Sequence, residues 1–566
     1  MTLDTRTRVL AGYAAILLLA VLPVPVAAGQ SPSSLSFRLQ EATIADIHSA
    51  FEAGTLTCRQ LTGLYLDRIR AYEDGGPRLN AITMVNPKAL EAAGELDVQW
   101  QRSGPIGPLH CIPVLLKDNI NTTDMPTTSG SVILSNSVPR EDATIVKALR
   151  NAGALILGKA SMGELAAHTY NTIDGQQLNP YNFKRHPGGS SSGSAAAVAA
   201  DLTAVAVGTD TYTSVRLPAA FTGIVGLRPT TGLISRTGIA PRKANIDSPG
   251  PMARTVTDAA ILLNTLAGPD PADPLSLQVY SDYPVAGKAG GRYADFTRYL
   301  KKGSLRNARI GVVQDFFGGD PEIDALARAA LAKMQTLGAQ LVDVRLDRDF
   351  LDRYVRNVRT HLMPILMYRF RQDWERYVAT LGPDVPKTVA EWVQVYESEG
   401  ARSSLPPSTE RGSALTILRE SLLHSANEPA YQDMIENVLP TLTRLKLAIY
   451  ERHKVDALVF PYQPAFAGPI SNPLETVNDT TYVAAPDRPN PAPLAGYSSV
   501  GFPMIVVPMG FGTEGLPMGI AFMGRPYEEG RILGYAYDYE HATKMRRPSP
   551  LLPPLQAVPA NNQRDD

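Results

Sequence analysis

Along this chain, short apolar runs alternate with segments whose apolar residues recur at helical spacing. No other feature constrains the fold as much. Runs at 112–116, 154–157, 203–207, 309–313, 339–344, 456–460, 504–508 and 518–522 have the length and branched apolar content of buried strands. Between them, 43–53, 57–73, 141–151, 193–200, 256–266, 321–337 and 432–453 read as helices. In 57–73, Leu61, Leu64, Leu66, Ile69 and Tyr72 mark one broad face. A further helix is expected from about Met162, after the turn at Gly158-Lys159. Alternation of this kind predicts an α/β fold, a large sheet with helices on both faces. Residues 267–305 read as loop-rich and 350–450 as mainly helical. Residues 461–496, crowded with Pro and Asn, are too long for an ordinary loop and are expected to cover a site. The tail from Pro548 reads as extended or disordered.

The first residues carry a different message. Arg6 and Arg8 precede an apolar run at 9–22, which Pro23 and Pro25 break before Val26-Ala27-Ala28. This is the order of a secretory signal peptide, so residues 1–28 are set aside. The run falls short of the about 20 apolar residues that span a membrane; an uncleaved N-terminal anchor is the alternative. The expectation is an exported protein, periplasmic or extracellular, with no stable membrane anchor after cleavage. In that setting Cys58 and Cys111 either pair or remain two buried thiols. With 54 basic and 55 acidic residues the formal charge is −1, which excludes a general electrostatic grip on nucleic acid. Two Cys and eight His, none in an HExxH pattern, argue against a metal.

Two short patterns mislead. Gly510 to Gly515 matches GxGxxG, but Leu516-Pro517-Met518-Gly519-Ile520 reads as another strand where a dinucleotide site needs a helix. Gly189 to Gly193 matches the GxSxG elbow centred on Ser191, but polar, Pro-broken sequence replaces the strand that should precede it. A Ser-His-Asp hydrolase built on Ser191 is the alternative it raises, and it requires an essential His. The informative stretch is longer: Gly188-Gly189-Ser190-Ser191-Ser192-Gly193, then Gly208-Thr209-Asp210-Thr211-Tyr212-Thr213-Ser214-Val215-Arg216, then Gly226-Leu227-Arg228-Pro229-Thr230.

With these blocks the chain resembles the amidase signature enzymes. Gly107 to Asn119, ending Pro113-Val114-Leu115-Leu116-Lys117-Asp118-Asn119, resembles that family's lysine motif. Gly158 to Glu164, Tyr497 to Pro508 and Gly524 to Glu529 resemble further blocks. The resemblance covers nearly all of the chain after the leader. It implies a large mixed central β-sheet flanked by α-helices, in one amidase domain over 29–547. That domain would hold a signature core at about 107–266, a variable helical insertion at about 315–455 and the covering loop at 461–496, with a Pro-rich tail at 548–566. It also implies a Ser-Ser-Lys triad: Lys117 as general base, Ser190 as a bridging serine held through a cis peptide bond, and Ser214 as nucleophile. The backbone N–H groups of Thr211, Tyr212, Thr213 and Ser214 would hold the oxyanion, and Tyr170, Asn171 and Gly189 would approach the substrate. Asp210 and Arg216 are read as ordering the loop. No cofactor is implied. The partner is a small-molecule amide, with no nucleic acid, and a homodimer is left open. The chain resembles the longer monofunctional members, such as peptide amidases and aryl-acyl amidases, more than the subunit that transamidates misacylated tRNA.

The implied chemistry sets a physical requirement. A serine hydroxyl needs a base to take its proton, and a Lys can do so only when neutral, about 3 units below its ordinary pKa of about 10.4. Two departures from the family pattern stand out. Tyr212-Thr213 replaces the usual Gly-Gly, which either leaves the amides aimed through other dihedrals or alters the oxyanion site. A non-catalytic binding protein on a decayed amidase fold is the corresponding alternative. Cys111 stands where Gly is usual and is read as structural.

Overall fold

The strands are β1 (Ile82–Val85), β2 (Pro113–Lys117), β3 (Leu155–Ala160), β4 (Tyr170–Asn171), β5 (Gly175–Gln176), β6 (Val205–Asp210), β7 (Val225–Arg228), β8 (Ser248–Ala253), β9 (Arg309–Val313), β10 (Gln340–Val344), β11 (Ala457–Pro461), β12 (Met504–Phe511) and β13 (Pro517–Met523). The computed structural model describes residues 37–282, 295–356, 362–398, 414–470 and 501–555. The expected leader at 1–28, most of the expected covering loop (471–496) and the end of the tail (556–566) lie outside them. Eleven strands form one mixed sheet in the order β1-β3-β2-β6-β8-β7-β12-β13-β11-β9-β10, and β4 pairs with β5 apart from it. Strands β3, β2 and β6 run parallel, with every residue buried, which is why these segments read as continuous apolar runs. Helices flank the sheet, so the α/β class expected from the alternation is the observed one.

Each of the eight expected runs contributes to a strand. Strands β1, β4, β5, β7 and β8 were not expected. Strand β8 contains Pro249 and Pro251, which argue against a central strand because proline cannot donate to a ladder. It is tolerated here because β7 meets β8 only at Met252 and Ala253, so the prolines fall where one edge of β8 is unpaired by β7. The GxGxxG pattern closes the β12–β13 hairpin, where the Gly512 N–H donates to the Leu516 carbonyl at 2.9 Å.

The helix expected from Met162 does not form. Only a short 3-10 turn follows β3, and Leu165, Ala166 and His168 take positive φ values of 46°, 58° and 61°. The cause is tertiary. The Glu164 carboxylate is drawn inward by the Tyr396 hydroxyl at 2.5 Å and the Thr172 hydroxyl at 2.8 Å, and the Leu165 N–H donates to the Ser129 carbonyl at 2.9 Å. The region 315–455 is not purely helical, since it also supplies the edge strand β10. Its helices Phe370–Ala379, Val389–Glu397 and Ala414–Leu422 pack around Trp374 and Trp392, whose ring centroids are 5.1 Å apart.

Cys58 and Cys111 form a disulfide, with Cα atoms 5.6 Å apart. Cys111 has φ 59°, a left-handed conformation that explains why Gly suits this position. The bridge closes a loop across a sequence separation of 53, so Cys58→Ser is expected to cost about 2–4 kcal/mol of stability. Urea unfolding checks this: reduced wild type should match the variant, and equal midpoints with and without reductant would refute it.

The ends of the described chain meet. Arg546 forms two hydrogen bonds to the Glu41 carboxylate, at 2.6 and 2.8 Å. Buried Arg68 donates to the carbonyls of Ala200 at 2.7 Å, Leu552 at 2.8 Å and Pro553 at 2.9 Å. The tail, read as extended or disordered, is therefore docked where it is described, and Ser549 and Leu552 are buried.

Candidate active site

Strands β2 and β6 pair in parallel with Leu116 opposite Val207, so Lys117 and the Thr209-Asp210 end of β6 emerge side by side at the carboxyl ends of two interior strands. Lys117 is 0% exposed. Its Nζ donates to Ser190 Oγ at 2.9 Å and to the Thr209 carbonyl at 3.2 Å. Burial pushes its pKa down from 10.5 to about 7; Asp210 and Asp247 pull the other way, and Arg242 adds to the depression. The neutral amine demanded by the chemistry is therefore accessible near pH 7.

Ser190 lies on a tight turn with a cis peptide bond from Gly189. Gly188 has φ 78°, and a Cβ there would sit 3.0 Å from the Pro218 backbone; a Cβ on Gly189 would collide with the His168 carbonyl. The Gly-Gly pair thus lets the turn press against both the helix Arg216–Phe221 and the 168–171 loop. The Ser190 carbonyl accepts from the Gly163 N–H at 3.1 Å. One residue on, the Ser191 N–H donates to the Ser214 carbonyl at 3.3 Å, which brings the two serine segments together.

Ser214 is buried in the turn between β6 and the helix Arg216–Phe221. Asp210 organises that turn. Its carboxylate accepts from Arg216 Nε and Nη2 at 3.0 Å each, from Arg228 Nη1 at 3.0 Å and from the Val215 N–H at 3.0 Å. Burial would raise its pKa, but Arg216 and Arg228 outweigh burial and hold the carboxyl well below the usual carboxylate range. Arg216 Nη2 also donates to the Tyr212 carbonyl at 2.7 Å. Asp210 and Arg216 thus order the loop, as read from the sequence. Neither Tyr212 nor Thr213 needs a positive φ. Among the described residues, the N–H groups of Thr213 and Ser214 find no acceptor.

The other expected residues divide. Gly189 is partly exposed beside Ser190, and Tyr170 is half-buried on β4. Asn171 requires a correction. It is fully buried, its Nδ2 donates to Ser161 Oγ at 3.0 Å and the Met162 carbonyl at 2.8 Å, and its Oδ1 accepts from the Ile173 and Asp174 amides at 2.9 and 2.6 Å. It pins the β4–β5 hairpin and offers nothing to a substrate. The Ser191 hydroxyl is likewise spent: it donates to the Thr209 carbonyl at 3.1 Å and accepts from the Thr209 N–H at 3.2 Å, a backbone clamp and not a nucleophile awaiting a His.

Several contributors went unassigned in the sequence. Lys159 and Asp118 form a fully buried pair at 3.6 Å, and Thr128 donates to the same carboxylate, fixing the chain just after Lys117. Arg228 shares Asp210 with Arg216. Both lie in the quoted blocks, but only the pairing of strands reveals their partners.

A sheet that delivers a buried, hydrogen-bonded Lys to a Gly-Ser turn, inside this mixed architecture, defines a class: hydrolases of amide C–N bonds. The chain belongs to the amidase family, whose profile matches residues 60–533. Its structure is similar to that of a peptide amidase from Stenotrophomonas maltophilia, at 34% identity and a TM-score of 0.78, covering 91% of this chain and 99% of that one. An amidase family protein from Bacillus anthracis is 30% identical with a TM-score of 0.76, covering 90% and 92%. A glutamyl-tRNA(Gln) amidotransferase subunit of Chloroflexus aurantiacus is 34% identical over 539 residues, 91% of this chain and 99% of its own length. Identity alone does not separate the peptide amidase from the amidotransferase subunit.

Proposed function

We propose that this amidase cleaves its substrate through a seryl acyl-enzyme, with Ser214 as nucleophile, Ser190 as proton relay and Lys117 as base. The observation that carries the reading is the 2.9 Å bond between Ser190 Oγ and a fully buried Lys117. Ser214 Oγ attacks the amide carbonyl carbon, its proton passes to Ser190, and the Ser190 proton passes to Lys117. The oxyanion is held by backbone amides in the 211–214 loop, each worth a factor of roughly 100–1000 in rate. Collapse of the tetrahedral adduct breaks the C–N bond as the relay returns a proton to the leaving amine. Water then enters by the same relay and releases the carboxylate.

The substrate class is a small neutral amide, a peptide C-terminal amide or an anilide. The near-zero formal charge of −1 and the similarity to a peptide amidase support it. Assay of a panel of peptide amides, anilides and glutamine tests this, and activity confined to glutamine would refute it. We place the protein in an oxidising compartment, a reading the Cys58–Cys111 bridge supports; cell fractionation that finds it, with reduced thiols, in the cytosol would overturn this.

The pH profile follows from the base. Neutral Lys117 is the active form, so kcat/KM should rise with pH through about 7 and be lost below it. A flat profile between pH 5 and 9 would rule out Lys117 as the titrating base.

A further inference from the structure

A cavity of about 630 Å³ lies beside the strand ends that carry the site, and Asn119, Thr209, Thr211, Arg242 and Asp247 are on its wall. Asp247 immediately precedes β8, whose Ser248 pairs with Asp210 across the ladder. Its Oδ1 accepts from the Thr211 hydroxyl at 2.6 Å, and its Oδ2 accepts from the backbone N–H groups of Arg242 and Lys243 at 2.8 and 2.9 Å. One carboxylate therefore staples the 242–247 turn to the first residue of the nucleophile loop. Two carboxylates act on Lys117, Asp210 and Asp247. They differ in their partners. Asp210 is matched by two guanidinium groups, whereas the hydrogen bonds to Asp247 come from a hydroxyl and two amides. The other charged groups that feel Asp247 are Arg228, Arg242 and Asp373.

We propose that Asp247 is a positioning residue of the reaction, holding the Thr211 end of the nucleophile loop and supplying the counter-charge for the Lys117 ammonium that forms as Ser214 is deprotonated. The inference rests on Lys117 being the base. An ammonium formed in a site with no solvent exposure is disfavoured by burial, and a nearby carboxylate offsets that cost. Asp210 is held in ion pairs by Arg216 and Arg228, whereas among the described residues no Lys or Arg stands within ion-pair distance of Asp247, with Arg242 and Arg228 acting on it only from farther off. Asp247 is thus the carboxylate free of a direct ion pair that can answer the new ammonium.

A fluorophosphonate reads this without knowledge of the natural substrate. Ser214 Oγ bonds to phosphorus, fluoride leaves, and the serine proton passes through Ser190 to Lys117. The second-order labelling rate is followed against pH, with adduct mass measured on a Ser214 peptide. In wild type the rate should rise along an acid limb set by Lys117. Asp247→Asn, which is isosteric, should shift that limb to lower pH and lower the plateau about tenfold, because the base becomes weaker. Asp247→Glu, which keeps the charge, should retain the wild-type limb. Thr211→Val should lower the plateau without moving the limb. A limb unmoved in Asp247→Asn while Lys117→Met is unreactive overturns this inference alone. A limb displaced in Asp247→Glu also overturns it, and that arm stands if the Asn variant does not fold. Wild-type labelling of Lys117→Met overturns the base assignment and this inference together.

Discussion

On the proposed mechanism, Ser214→Ala and Lys117→Met are each expected to lower kcat/KM by about 1000-fold or more, because nucleophile and base then act as a unit. The Lys117 variant carries a second signature. In the folded protein its pKa is about 7, and in the unfolded chain it is about 10.4. Between those values the unfolded chain binds more protons, so stability rises with pH across that window. At pH 7 the buried Lys costs about 4 kcal/mol relative to a neutral side chain. Met removes that cost and forfeits the hydrogen bonds to Ser190 and Thr209, worth about 1 kcal/mol each. The inactive variant should therefore be more stable than wild type by about 2 kcal/mol at pH 7, with the gain fading toward pH 10. Thermal unfolding at several pH values measures it. A Lys117→Met variant that is both active and less stable would contradict both halves. Ser191→Ala gives the contrast: its loss falls on stability, because the clamp on Thr209 opens, while the nucleophile and base are untouched.

The second large effect belongs to Asp210. Asp210→Ala leaves two buried guanidinium groups without their carboxylate and an unpaired Val215 N–H. Breaking a buried ion pair from one side costs about 3–5 kcal/mol. Activity should fall as well, since Arg216 no longer has the anchor that lets it hold the Tyr212 carbonyl. The pH dependence has the opposite sense to that of Lys117. The folded-state pKa of Asp210 is depressed, so its contribution is fully present above an unfolded value of about 3.9 and is lost as pH falls through the folded one. Urea unfolding of wild type and variant at pH 7 should differ by the full amount and converge only in strong acid. A difference under about 1 kcal/mol at pH 7 would show that the two arginines find other partners.

The strands legible in the sequence were those whose environment leaves a local trace. Strands β2, β3 and β6 are buried on both faces and so read as uninterrupted apolar runs. Strand β8 left no such trace because its prolines contradict its position, and only the partial pairing by β7 resolves the conflict. The missing helix after β3 shows local preference overruled by one buried carboxylate, Glu164, whose partner Tyr396 lies 232 residues away. At the site, the blocks that carry Lys117, Ser190 and Ser214 stood out because they are ordered as in a family, and the structure brings them together, with Lys117 bonded to Ser190 and the Ser191 N–H to the Ser214 carbonyl. Asn171 was misread because a two-residue strand does not tell which side chain turns inward. Asp247 and the role of Arg228 were invisible because their partners, Thr211 just beyond β6 and Asp210 at its end, are brought to them only by the pairing of the sheet.

The meeting of the chain ends bears on how such a molecule is made. Glu41 waits 505 residues for Arg546, and Arg68 waits 484 for Leu552. Synthesis at roughly 5–20 residues per second leaves both groups without these partners for about 25–100 s. Over that interval the first helices are held by nearer contacts, among them the Cys58–Cys111 bridge and the Arg68 bond to the Ala200 carbonyl, and residues 546–553 then complete the lock. A truncation near residue 545 would remove this latch while leaving the Lys117, Ser190 and Ser214 segments in the chain, separating the late lock from the site it helps to seat.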